Sequence, residues 1–263
     1  MKRISRAWLL LVAASAILAD AIAPYQPHEQ FRELANSPPS GSHLLGTDEN
    51  GRDVLSRLLH GARWSIGAGA AGALLSLGAG LAAGLAAAMA GRRVERMLLW
   101  LADLFLTLPW LYLLFGVRSM LPLDLRPEIS FLAVVALIGL LGWAAPARLV
   151  RSAALEILQS GYVLAARGFG ATRLHIARRH VLPALGAVLA PQFFILLSRY
   201  VLAEASLSFL GLGLGEPIPS WGAMLGSLRQ SMAGAMSWWL LAPALMLALF
   251  LAASNVAFEE GNQ

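Results

Sequence analysis

Long apolar stretches alternate along this chain with short connections rich in arginine, and six of those stretches reach or approach the length of a membrane crossing. They run from about Ala7 to Ala23, Trp64 to Ala90, Met97 to Val117, Ile129 to Leu149, Leu185 to Ala203 and Trp238 to Phe258. A helix that crosses a bilayer needs roughly 17–25 mostly apolar residues. The pattern therefore predicts an all-α, polytopic membrane protein with about six transmembrane helices. Two parts are expected: residues 1–63, holding an N-terminal span and an outer amphipathic segment, and residues 64–263, a five-helix transmembrane domain. The first stretch also fits the plan of a cleaved signal peptide, with Lys2, Arg3 and Arg6 before the apolar run and Ala19-Asp20-Ala21 at its end. Its apolar run exceeds the usual h-region of about 7–15 residues, so an uncleaved span is expected.

The polar connections set the orientation. Placing the N-terminus inside puts twelve basic residues on the cytoplasmic side: Lys2, Arg3, Arg6, Arg92, Arg93, Arg96, Arg148, Arg151, Arg167, Arg173, Arg178 and Arg179. Seven arginines, interleaved with acidic residues, are left outside. Positive charge in short loops stays in the cytoplasm, so both termini are expected there, with residues 161–186. The arginine excess is thereby read as a topology signal rather than as a nucleic-acid footprint.

Composition agrees and removes several chemistries. The 263 residues are 58% hydrophobic and 13% charged, outside the balance of a soluble domain. Cysteine is absent, and the five histidines show no ligand spacing, so no metal site is expected. Lys2 is the only lysine, and no phosphate-binding G-x-x-x-x-G-K-[ST] loop exists. Any ATP that drives this protein must be bound, with its magnesium, by another chain.

The second span is dominated by glycine and alanine, including Gly80-x-x-x-Gly84. Small side chains let helix backbones approach closely in lipid, so this helix is expected to be buried among others of the same chain. Outside the membrane, Val54, Leu55, Leu58 and Leu59 recur at helical spacing, with Thr47 or Asp48 as a cap, and predict an amphipathic helix in the outer interface. The D-E-N-G-R-D stretch carries Asp53 where a calcium loop needs glycine, so calcium is not expected. Residues 208–230 are rich in glycine and proline and are expected to close one end of a path, with Trp221 at the interface. Ionisable residues within spans are costly and face protein or water. Asp103, Arg199 and Glu204 are the candidates for a translocation path, with internal pairing or snorkelling as the alternative.

The segment GYVLAARGFGATRLHIARRHVLPALG, residues 161–186, carries four arginines, two histidines and no acid. Tyr162, Ala165 or Ala166, and Phe169 share one helical face, Gly170 is placed to stop that helix, and Thr172 to cap a second. Leu174, Ala177 and Val181 would line that second helix until Pro183 interrupts it. A helix-turn-helix DNA reader has a similar local pattern, but this pair is tethered to the membrane at both ends.

These residues resemble the inner-membrane permease subunits of binding-protein-dependent ABC importers, in particular the second permease of the dipeptide, oligopeptide and nickel group. The cytoplasmic signature of that family is Glu-Ala-Ala, three residues, Gly, then about a dozen residues to Leu-Pro. Ala165, Ala166, Gly170, Leu182 and Pro183 match it, and Leu164 stands where the signature has Glu. His43 to Asp48 with Gly51-Arg52-Asp53, Asp103 with Leu108-Pro109-Trp110, Leu202 to Gly213, and Pro219-Ser220-Trp221-Gly222 are similar to the family's other motifs in the same order. The family's tail motifs beyond the sixth span have no counterpart in residues 258–263.

The resemblance implies a MetI-like ABC permease fold in the bacterial inner membrane, with a coupling helix between spans 4 and 5 that docks on a cytoplasmic ATPase. The coupling set it marks is Tyr162, Leu164, Ala165, Ala166, Arg167, Phe169, Gly170, Arg173, Leu182 and Pro183. It implies four kinds of neighbour: a second permease, two ABC ATPase subunits, an extracytoplasmic solute-binding protein and membrane lipid. No cofactor is expected in this chain. Peptide import by alternating access is the function implied, with nickel or another small solute as the alternative. An intramembrane enzyme using Asp103, Glu204 or His180 lacks a paired nucleophile and base, and an ion-driven carrier leaves the basic helix pair unexplained.

Overall fold

The computed structural model describes residues 2–122, 125–231 and 238–258, and the tail residues 259–263 lie outside the described residues. Among these, helices account for nearly all regular structure. The N-terminal helices are α1 (Lys2–Ile17) and α2 (Ala19–Ile22), followed by an irregular outer segment up to residue 53 and the long helix α3 (Val54–Met89). Asp53 starts α3: its carboxylate accepts from the backbone N–H of Ser56 at 2.8 Å and from the Ser56 hydroxyl at 2.7 Å. Thr47 and Asp48 are not the cap; they organise the loop before it. The outer amphipathic stretch and the second span are one continuous helix of 36 residues. At 1.5 Å per residue such a helix is about 54 Å long, against roughly 30 Å of hydrocarbon, so its first turns stand clear of the lipid core and are covered by the outer segment.

Small residues let α3 act as the central post. Cβ atoms placed on Gly80 and Gly84 would lie 2.5 Å from Pro146 Cβ and 2.6 Å from Ala147 O, and one on Gly69 would lie 2.6 Å from Val201 Cγ2. The helices carrying those contacts, α7 (Ala144–Leu158) and α10 (Leu182–Phe209), reach α3 only because those side chains are absent. The close-approach surface expected of the glycine-rich span is thus used within the chain.

Two expected spans are broken. The third consists of α4 (Arg92–Thr107) and α5 (Trp110–Ser119), bent by 86° at Leu108-Pro109. Proline pushes the residue before it out of the helical region, and Leu108 is extended with ψ 136°. The fourth consists of α6 (Pro127–Leu141) and α7, bent by 44°. Three uninterrupted stretches are long and apolar enough to cross alone: α3, residues 173–209, and residues 238–257, which hold α12 (Ala242–Phe258). With the two bent pairs there are five such crossings. The sixth expected span, α1, has 16 residues, about 24 Å of helix.

The fifth span is longer than its apolar run. Two short helices, α8 (Gly161–Gly168) and α9 (Arg173–Ile176), precede a π-helical turn, Ala177–Val181, that feeds directly into α10. Pro183 does not interrupt this helix, contrary to the sequence reading. In the wider turn the Leu182 N–H reaches back five residues to Ala177 O, and Pro183 follows directly as the second residue of α10. A last helix, α11 (Trp221–Ser231), follows the glycine- and proline-rich loop.

Candidate coupling segment, polar groups and family

The α8–α9 pair is built from local signals. α8 ends in two reciprocal hydrogen bonds, Gly170 N–H to Arg167 O at 2.9 Å and Ala171 N–H to Ala166 O at 3.0 Å. Gly170 has φ +84°, a conformation that favours glycine. The Thr172 hydroxyl accepts from His175 N–H at 3.3 Å and starts α9. Val163 and Ile176 anchor the pair: both are buried with Val150, Ala154 and Leu158 of α7 and with Val181 and Leu185. Opposite this anchor, Tyr162, Leu164 and Phe169 are exposed, Phe169 at 92%. A conspicuous apolar tip beside Arg167 is the kind of surface that docks a partner. Ala165 and Arg167 are exposed with it, Ala166 is half-buried, and Leu182 lies at the start of α10.

One sequence expectation for this segment changes. Leu174 is exposed rather than lining the buried side, because Ile176 takes that position. Arg173 is exposed, and its Nη1 donates to Met89 O at 3.4 Å at the C-terminal end of α3. A cation there offsets the negative end of the helix and ties α9 to the central post. Neither Ile176 nor Val163 was selected from the sequence; Val163 lies off the Tyr162–Phe169 face, and Ile176 ends α9.

The three path candidates are not brought together. Asp103 of α4 pairs with Arg148 of α7, each about half exposed, and Arg151 of α7 pairs with Glu95 of α4. Arg199 is exposed on α10, its guanidinium 4.8 Å from the centre of the Trp110 ring, which also stacks on Tyr200. Glu204 has no exposed surface in this conformation. The Ser208 hydroxyl donates to its Oε1 at 2.6 Å, and the Ser65 and Ser220 hydroxyls neighbour the same carboxyl group. Five positions at about 100° each put Arg199 and Glu204 on different sides of α10.

A polar network in the outer segment was not singled out as a site from the sequence. Asp48 Oδ2 accepts from Arg52 Nε at 2.8 Å and lies 3.7 Å from Arg57 Nε. The Glu216 carboxylate takes Arg52 through one oxygen at 3.0 Å and Arg57 through the other at 3.1 Å. His43 Nδ1 lies 2.9 Å from Asp53 Oδ1, which steadies the α3 cap. Among the described residues no group of three His, Asp or Glu side chains is placed to hold a metal ion.

Comparison with known proteins places this arrangement. Residues 79–259 match the family described as binding-protein-dependent transport system inner membrane component. A di/tripeptide transport system permease protein of Pseudomonas aeruginosa is 38% identical over 256 residues, 95% of this chain and 82% of the relative. A dipeptide transport system permease protein of Bacillus subtilis is 32% identical over 249 residues, 94% of this chain and 76% of the relative. Among solved structures, an inward-facing MetNI methionine ABC transporter is similar in fold at a TM-score of 0.59 and 21% identity, covering 78% of this chain and 94% of that one. The helical architecture and the sequence match agree, and the chain belongs to the inner-membrane permease components of binding-protein-dependent ABC transport systems.

Proposed function

We propose that this chain is one of two permease subunits of an ATP-driven importer of short peptides. The observation that carries the substrate is the 38% identity, over 95% of the chain, with a di/tripeptide permease. The exposed tip of α8 docks in a cleft of a cytoplasmic ATPase subunit, and a solute-binding protein delivers peptide to the outer face. ATPase closure pushes α8–α9. The push reaches α3 through Arg173 at Met89 and α10 through the unbroken π-turn. The helix bundle then passes between outward- and inward-open states, which differ in free energy according to what each side binds.

Both chain ends lie on the same side in this proposal, in the cytoplasm. The Arg6 guanidinium of α1 within 3.5 Å of Ala257 O of α12 supports that placement. Asp103 and Arg199 remain candidate path groups, since the exposed sides of α4 and α10 are available to a second permease.

Reconstitution of the full complex in nanodiscs tests the reading. Binding protein loaded with a di- or tripeptide is expected to stimulate ATP hydrolysis at least about tenfold over unloaded protein, and the same peptide to accumulate in proteoliposomes. Stimulation by a nickel chelate and none by any peptide would overturn the substrate assignment.

A further inference from the structure

We propose that Arg52 and Arg57 form a carboxylate-binding subsite at the outer face, that Glu216 occupies it as a built-in plug, and that the terminal carboxylate of a short peptide displaces Glu216. The identity of the ligand rests on the peptide reading above; the carboxylate chemistry rests on the geometry alone.

Both guanidinium groups are taken out of solvent, with Arg52 at 8% and Arg57 at 2% side-chain exposure. Asp48, at 7%, is the fixed acidic partner, and its second oxygen is already held by the N–H groups of Asn50 and Arg52 at 2.9 and 3.0 Å. Two cations and one anion leave one positive charge to balance. Glu216 supplies that balance from a different position in every respect. Its side chain is 56% exposed, and its loop arrives through Gly211, Gly213 and Gly215. It holds the site with one oxygen on each arginine, the geometry any free carboxylate would adopt.

An uncompensated buried cation is costly, so Arg52 and Arg57 favour keeping Glu216 until another anion takes its place. The space for one exists. A cavity of about 640 Å³ opens beside Arg52 and Glu216, within the ordinary range for small-molecule sites. Glu49, Asn50 and Gln30 are on its wall and provide acceptors for an ammonium group. A dipeptide zwitterion carries the matching pair of charges. Ser208 and Phe209, at the end of α10, share the same wall, so withdrawal of the Glu216 loop would be felt where α10 meets the outer face.

Because the chain has no cysteine, a spin label on Gly215→Cys reports the loop without interference, once the partner subunits are made cysteine-free. A Cβ at Gly215 meets nothing within 4 Å. In the nanodisc complex, Gly-Gly is expected to mobilise the label in a saturable manner, and glycylglycinamide, which keeps the ammonium and lacks the carboxylate, is expected to leave it unchanged. Glu216→Ala is expected to give the mobile spectrum without ligand and, in ligand titration, to bind Gly-Gly at least about tenfold more tightly, as follows if the plug occupies the site about nine-tenths of the time. Equal responses to Gly-Gly and its amide would overturn the proposal even if the alanine variant did not assemble, and so would unchanged Gly-Gly affinity in an assembled Glu216→Ala complex. Peptide uptake with an unresponsive label would refute the subsite and leave the import function standing. A responsive label in a complex that imports no peptide would do the reverse.

Discussion

Glu204 is a carboxyl group without exposed surface in the middle of a membrane protein, held by Ser208 and neighboured by Ser65 and Ser220. Those serines also serve the backbone: Ser65 Oγ accepts from Trp221 N–H and Ser220 Oγ from Ala223 N–H, each at 3.1 Å. Serines of α3, α10 and the turn before α11 thus surround the carboxyl, of which Oε1 is bonded by Ser208 and Oε2 has no hydrogen-bond partner among the described residues. Glu204→Ala is expected to destabilise the chain by about 2–4 kcal/mol, from the emptied volume and the Ser208 hydroxyl left without its acceptor, seen as a lower unfolding midpoint in detergent. Glu204→Gln, which keeps the volume and an acceptor for Ser208, is expected to lose less than about half of that. Loss of transport with unchanged stability in the alanine variant would instead return Glu204 to the path. From the sequence its cost in lipid was legible and its role was not, because the serines around it come from three separate segments. The Arg52–Arg57–Glu216 network was hidden for the same reason, Arg57 and Glu216 being 159 positions apart.

At the scale of elements, some signals that depend on near neighbours were legible, although Asp53 rather than Thr47 or Asp48 starts α3. The glycine stop at Gly170 and the Thr172 cap need only residues a few positions apart, and both stand as expected. The continuation through Pro183 was not legible, because a π-turn that absorbs a proline leaves no mark in hydrophobic periodicity. The right-angle break at Pro109 was concealed by an apolar run that continues across it. Gly170→Pro removes the N–H that bonds Arg167 O and is incompatible with φ +84°. It is expected to leave the protein in the membrane fraction and to abolish substrate-stimulated ATP hydrolysis. Crowding at Gly84 acts elsewhere. Gly84→Leu forces α3 from Ala147 and Val150 of α7 and is expected to remove the protein from the membrane fraction, whereas Gly78→Ala, with nothing within 4 Å of the new Cβ, accumulates normally. Quantitative immunoblotting of membranes distinguishes the two.

For the whole molecule, the polytopic all-helical plan was readable from apolar length, because lipid requires each backbone crossing to satisfy its own hydrogen bonds; of the six expected spans, three are single helices long and apolar enough to cross, two are bent pairs, and α1 has only 16 residues. Which of them bend was not readable, since that depends on how α3 gathers its neighbours. The cysteine-free sequence makes orientation directly measurable. A single cysteine at Gly168 is expected to react with an impermeant maleimide only in inside-out vesicles, and one at Gly41 only in right-side-out cells, both sites having no atoms within 4 Å of the added Cβ. The reverse pattern would invert the proposed topology and place α8 away from any ATPase.

The central claim is that the exposed tip of α8 grips a cytoplasmic ATPase. Phe169 is 92% exposed and Tyr162 53% exposed, so replacing both with alanine removes little that supports the fold, while loss of an aromatic anchor pair from a docking site typically costs at least about 2 kcal/mol each. The decisive measurement is the affinity of the ATPase subunits for the nanodisc-held permease pair containing Phe169→Ala and Tyr162→Ala. A loss of about a hundredfold or more relative to wild type, with an unchanged unfolding midpoint, is the predicted result. Wild-type affinity in the double variant would contradict the claim.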